Sequence, residues 1–172
     1  MANTNKKVLN LSLAAVFAAL IFLATMIHVN FGANGGYIHL GDAVIYLCAA
    51  FLPAPYAASA AAIGAGLADV AGGAPLWAPA TILIKALSSL FFTSKKETVL
   101  CARNVFACLS GAVLCVGGYY IAEVIIYGCG FIVPLASIPF NLIQTVASAI
   151  LFISIAVVFD KTGLKKKLVS IK

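Results

Sequence analysis

The sequence reads as an all-α integral membrane protein: one bundle of six membrane-spanning helices with both termini in the cytoplasm. Three observations carry this. Of 172 residues, 63% are hydrophobic and 9% charged, and the mean hydropathy is +1.10; soluble domains run near about 45–50% apolar and about 25% charged. So little charge cannot coat a water-facing surface, and the outer face must meet lipid. Long apolar runs alternate with turn-rich stretches. The basic residues sit in three clusters that flank those runs: Lys6/Lys7, Lys95/Lys96 with Arg103, and Lys161 through Lys172. That is the positive-inside pattern.

Residues 8–28 follow Lys6/Lys7 and form the first helix; the run is too long for a signal-peptide core, and no A-x-A-like cleavage site follows it. FGANGG marks a loop at 29–41. The second and third helices, 42–52 and 57–71, are separated by LPAPY. They share 30 residues where one crossing wants about 20, so two short or tilted crossings are expected, with a re-entrant hairpin as the alternative. GGAPLWAP precedes the fourth helix at 79–92, the fifth spans 100–127, and YGCGFIVP leads into the sixth at 137–159. Residues 1–172 thus form a single transmembrane domain, a multi-pass protein of the plasma membrane. Counting crossings from a cytoplasmic N-terminus places ten of the eleven basic residues inside, and leaves loops 29–41, 72–79 and 128–136 outside with no Lys or Arg.

The remaining basic residue, Lys85, falls within the fourth helix. At a rise of 1.5 Å per residue it lies roughly 9 Å from the helix's outer end, Glu123 roughly 6 Å, and Asn141 and Gln144 roughly 6–10 Å. Asp42 opens the second helix and Asp69 lies near the outer end of the third. Charges at such depth usually face the bundle interior or a wet cavity, and a cavity open to the outside fits. Tyr119, Tyr120, Glu123 and Tyr127 share a face of the fifth helix, and Ser137, Asn141, Gln144/Thr145 and Ser148 line the sixth. Tyr37, His39 and Trp77 in the outward loops are placed to stack on a flat ring while Asn141 and Gln144 read its edge. The expected small-molecule site is therefore Tyr37, His39, Asp42, Trp77, Lys85, Tyr119, Glu123, Asn141 and Gln144. A purely structural reading remains for each: Lys85 pairing with Asp42, Asp69 or Glu123 to hold helices together, the polar stripe bonding between helices, the aromatics forming an interface belt, His39 capping a loop.

Other chemistries lack support. No phosphate loop, H-E-x-x-H, G-x-S-x-G or dinucleotide fingerprint occurs, so no ATP hydrolysis and no cofactor is expected. The five cysteines form no C-x-x-C pair, and no metal site is expected; Cys101, Cys108 and Cys115 share a helical stripe of small packing residues. The basic residues are not interleaved with aromatics on one face, which argues against nucleic acid. On the first helix, Ala14/Ala18 and Ala15/Ala19 form overlapping A-x-x-x-A pairs that admit another helix closely, from a partner or from the bundle itself.

Three segments, GGYIHLGDAVIYL from Gly35, GLADVAGGAPLWAPATILIKAL from Gly66 and IPFNLIQTVAS from Ile138, resemble the substrate-binding (S) components of energy-coupling factor transporters, which import vitamins. The resemblance spans about residues 11–159. HLGDA and the P-x-N-x-x-Q of Pro139, Asn141 and Gln144 look like the branch associated with hydroxymethylpyrimidine, pyridoxine or riboflavin; Lys85-Ala86-Leu87 departs from an expected K-G-L. The resemblance implies a six-helix S-component fold and docking of the helix 1 A-x-x-x-A surface on a transmembrane T component driven by two ATPase subunits. It also implies import by toppling of the whole S component in the bilayer. Pyridoxine or hydroxymethylpyrimidine is the favoured ligand, with riboflavin or another vitamin as the alternative. A membrane enzyme using Asp42, Asp69 and His39 on a lipid-linked substrate is the competing class, though two Asp and one His are thin support. An ion-coupled carrier would show an inverted repeat, and none is evident.

Overall fold

The computed structural model describes residues 2–31 and 36–170. Seven α-helices and one small hairpin follow in order: α1 (Ala2–Met26), β1 (His28–Phe31), β2 (Gly36–His39), α2 (Gly41–Phe51), α3 (Ala54–Ala71), α4 (Ala78–Ser89), α5 (Ala102–Tyr127), a 3-10 turn (Val133–Ser137), α6 (Ile138–Thr162) and α7 (Leu164–Ser170). Residues 32–35, within the loop expected at 29–41, and Lys172 lie outside the described residues.

Prolines and glycines set most boundaries. Pro53 holds Leu52 extended (φ −106°, ψ 150°) and so ends α2, and α3, α4 and α6 each carry proline in their first turn, where a missing N–H is harmless. Gly128 (φ +57°) and Gly163 (φ +64°) take the left-handed conformation that closes α5 and α6.

Among the described residues, three segments are long and apolar enough to cross a bilayer: Thr4–Met26, Ala102–Tyr127 and Val133–Thr162. Their outward faces are apolar, with Leu11, Phe106, Val113, Ile125 and Ile150 each more than half exposed. A surface of that kind is soluble only in lipid. The chain is thus an α-helical membrane protein.

The 11-residue α2, about 16 Å long, is short against a hydrocarbon core of about 30 Å. It forms the core of the bundle: nine of its eleven residues are buried, and α1, α3, α4, α5 and α6 all pack against it. A helix apolar on every face needs such a surround. Small residues make the approach close. A Cβ at Gly64 of α3 would stand 2.5 Å from the Ala18 carbonyl oxygen and 2.9 Å from Ile21 Cβ, so α1 and α3 meet nearly backbone to backbone.

Deeper in the bundle Tyr46 of α2 stacks on Phe92 (4.8 Å between centroids, 21°), and Phe152 of α6 stands edge-on to both, at 6.0 and 5.7 Å. Beyond this stack, at the lysine-rich end, the irregular segment between α4 and α5 is held by polar side chains, with Asn104 and Lys165 buried and Asp160 half-buried. Asp160 accepts the Val99 and Leu100 N–H groups (2.7 and 2.8 Å), Asn104 bonds Thr93 and Val99, and Lys165 donates to the Thr98 carbonyl (3.2 Å). Backbone that leaves helix inside a membrane protein requires such partners.

The structure corrects several sequence expectations. The first helix ends at Met26 rather than 28, because the following residues pair as a β-hairpin in register His28↔His39 and Asn30↔Tyr37; the four-residue strands were too short to register against the loop signal. The fourth helix stops at Ser89 rather than 92, and α7 adds a short basic helix after Gly163.

Candidate substrate-binding site

Asp42 lies in the first turn of α2, where the helix dipole favours a carboxylate. Because α2 is central, that one side chain reaches two neighbours. Lys85 Nζ of α4 stands 2.7 Å from Asp42 Oδ1, and Gln144 Nε2 of α6 donates to Oδ2 at 3.0 Å. Gln144 Oε1 accepts the His39 backbone N–H at 3.3 Å, and the Gly41 N–H donates to His39 Nδ1 at 3.0 Å. Asp42, Lys85 and Gln144 are at most 2% exposed and His39 is 6%. A buried ion pair recovers its desolvation cost only when its remaining hydrogen-bonding capacity is met, and Gln144 supplies part of that. Cys115 Sγ at 3.5 Å and the Tyr119 ring, 5.1 Å from Nζ to the centroid, complete the surround of the ammonium.

The hairpin closes over this network. Burial lowers the His39 imidazole to about 4, so it is neutral; with Nδ1 accepting from Gly41, its proton sits on Nε2. The Tyr37 hydroxyl donates to Asp69 of α3, and burial, then that bond, raises its pKa. The Tyr37 ring lies 4.5 Å from His28 and 5.6 Å from His39. Across the site Trp77 packs edge-on against Tyr119 (6.0 Å) and Tyr127 (5.9 Å), and Thr81 Oγ1 is 3.1 Å from the Tyr119 hydroxyl.

Of the residues expected from sequence, His39, Asp42, Lys85, Tyr119 and Gln144 come together around one ion pair. Tyr37 joins through the hairpin and Trp77 through Tyr119. Glu123, 2% exposed, sits one turn from both Tyr119 and Tyr127 on α5. Asn141 is half-buried and takes no part in the network. Of the four polar groups expected at a shared depth, Lys85 and Gln144 meet at Asp42. Sequence reasoning missed Cys115 and Thr81, although each stands four residues from a named residue, Tyr119 and Lys85.

The A-x-x-x-A pairs divide. Ala14 is buried and Ala18 packs on the core against α3, whereas Ala15 and Ala19 remain exposed on the outer face of α1.

The fold is thus a lipid-facing helical body with a closed polar network at one end of its central helix. The chain belongs to the family of S components of ECF-type riboflavin transporters, whose model matches residues 5–161. Such S components are membrane-embedded, substrate-binding transport proteins and not enzymes. No curated protein matches the chain.

Proposed function

We propose that this chain captures a small heteroaromatic vitamin or precursor from outside the cell, pyridoxine or hydroxymethylpyrimidine, for uptake driven by a T component and two ATPase subunits. The observation that carries this reading is the Asp42–Lys85–Gln144 network beneath Trp77 and Tyr119. It offers an ammonium, a carboxylate and an amide within one layer, roofed by rings. These groups satisfy one another without ligand, and a ring bearing nitrogen and hydroxyl edges exchanges with the same partners while stacking on the aromatics. Asn141, one turn outward on α6, adds a second amide to that edge.

The same reading takes the bundle as six crossings with cytoplasmic termini. The distribution of Lys and Arg supports it, with α2, α3 and α4 as shorter passages beside α1, α5 and α6. Docking on the T component then falls to Ala15 and Ala19, since Ala14 is buried and Ala18 packs against Gly64 of α3. Riboflavin is the second reading, favoured by the description of the matched family.

Titration of purified protein with pyridoxine, hydroxymethylpyrimidine and riboflavin, read by fluorescence of Trp77, the sole tryptophan, tests the proposal. Saturable quenching by one of the three is expected, with the same compound retained in native mass spectra. Binding of none of them refutes the vitamin reading.

A further inference from the structure

We propose that the lysine-rich end of the bundle is a binding surface for anionic phospholipid headgroups, made where the fold joins two basic clusters that lie more than 60 residues apart in the chain.

Three sets of contacts make the junction. Asp160 of α6 accepts the N–H groups of Val99 and Leu100, Lys165 donates to the Thr98 carbonyl, and Lys166 Nζ stands 3.1 Å from Glu97 Oε2. The segment between α4 and α5 is thereby tied to the end of α6 and the start of α7. Segments 91–103 and 160–167 together hold seven basic residues and two acidic ones, and both acids are committed: Asp160 to two backbone N–H groups, Glu97 to Lys166. Lys95, Lys96, Arg103 and Lys161 are all exposed, and among the described residues no salt bridge engages them. Arg103 spends its Nε on the Phe91 carbonyl at 3.1 Å and keeps the donors of its other two nitrogens. The joined patch therefore carries its positive charge largely uncompensated.

The place of these cations relative to lipid selects the partner. On α6 the exposed residues Ile143, Val146, Ile150 and Val158 follow one another at helical spacing and lead to Lys161. On α5 Arg103 stands one turn before Phe106, 70% exposed, on a face that continues through Val113, 68% exposed. Both stripes are apolar surface that only acyl chains can cover. A charge one turn past the end of such a stripe is about 5 Å further along the helix, where acyl chain gives way to headgroup. Lys and Arg at that level lay their stems along apolar surface and place the cation among phosphates. Four exposed cations gathered at one membrane-facing end make the kind of cluster that holds anionic lipid. An acidic protein surface would meet the charge and leave the stripes beneath it unused.

Native mass spectrometry of the purified full chain, in detergent doped with equal amounts of phosphatidylglycerol and phosphatidylcholine, tests the proposal. Retained phosphatidylglycerol should exceed phosphatidylcholine at least fivefold, the effect of about one Lys or Arg at the membrane surface. The combined variant Lys95→Gln, Lys96→Gln, Lys161→Gln should bring the two lipids to within twofold of each other; none of the three side chains takes part in the junction, so the fold is kept. Lys6→Gln with Lys7→Gln is the control for net charge, on a helix that packs on α2 and α3, and should keep the preference. Thermal unfolding in detergent adds a second arm: phosphatidylglycerol should raise Tm of the parent more than that of the triple variant, and soluble glycerol phosphate should raise neither. Equal retention of the two lipids by the parent would overturn the inference and leave the patch to an acidic protein surface. A preference undiminished in the triple variant, the same loss in the Lys6/Lys7 control, or stabilisation by glycerol phosphate equal to that by the lipid would overturn it too.

Discussion

Replacing Gln144 by alanine separates a residue that holds the site together from one that waits for ligand. The Gln144 amide works at both ends, donating to Asp42 Oδ2 at 3.0 Å and accepting from the His39 N–H at 3.3 Å, at 2% exposure. Truncation strands a buried carboxylate oxygen and a buried backbone donor, each costing about 1–3 kcal/mol. Water entering the vacated space recovers part of that, so a net loss of roughly 2–4 kcal/mol is expected. At about 2–4 °C per kcal/mol for a chain of this size, Tm in detergent falls by roughly 5–15 °C. Asn141→Ala is the control on the same helix: half-buried and outside the network, it leaves Tm within about 1 °C, yet weakens ligand binding by about 1–3 kcal/mol. Thermal unfolding of both variants without ligand, followed by titration, measures the two effects. Equal Tm for Gln144→Ala and the parent would refute the assignment of Gln144 to the structural network.

Acidification should act through His39: its pKa is about 4 when folded against an ordinary 6.5, so the unfolded chain binds the extra proton first. The resulting stability is complete above pH 6.5 and falls as pH drops toward 4, by about 3 kcal/mol in all. His39→Asn, whose amide oxygen can replace Nδ1 as acceptor, should flatten the Tm–pH curve over that window, and an unchanged slope would sink the attribution. Gly64→Ala should cost about 1–3 kcal/mol by overpacking α1 against α3, read as a lowered Tm; an undiminished Tm would show that the helices can separate freely. Ala15→Trp and Ala19→Trp should abolish uptake in cells while leaving ligand affinity of the purified chain unchanged, and normal uptake by both would move the docking surface elsewhere.

The positions of the helices were legible in the sequence because membrane helices announce themselves by apolar length, and because Pro53, Pro79, Pro139 and Gly128 punctuate them. The candidate site was legible in composition and not in connectivity. Lys85, Asp42 and Gln144 each stood out as polar groups in apolar runs, but their pairing follows from which helix is central, a property of the packed bundle. The shortness of α2 was visible and read as a difficulty for crossing; in the packed bundle α2 is enclosed by five other helices, so protein rather than lipid covers its sides. The β-hairpin was illegible because its strands are short and carry no alternating pattern. The division between Ala14/Ala18 and Ala15/Ala19 could not be read either, since two overlapping small-residue pairs on one helix look alike until a neighbour such as Gly64 selects one of them.

The stacked rings of Tyr46, Phe92 and Phe152 lie on the side of the polar network away from the hairpin. On the proposed reading of the site, these rings would floor it, and a ligand arriving past Tyr37 and Trp77 would have to leave by the same door. A change that stiffens or loosens that door, such as loss of the Tyr37–Asp69 bond, should shift the association and dissociation rates together and leave their ratio nearly constant, whereas a change in the site itself should act mainly on departure.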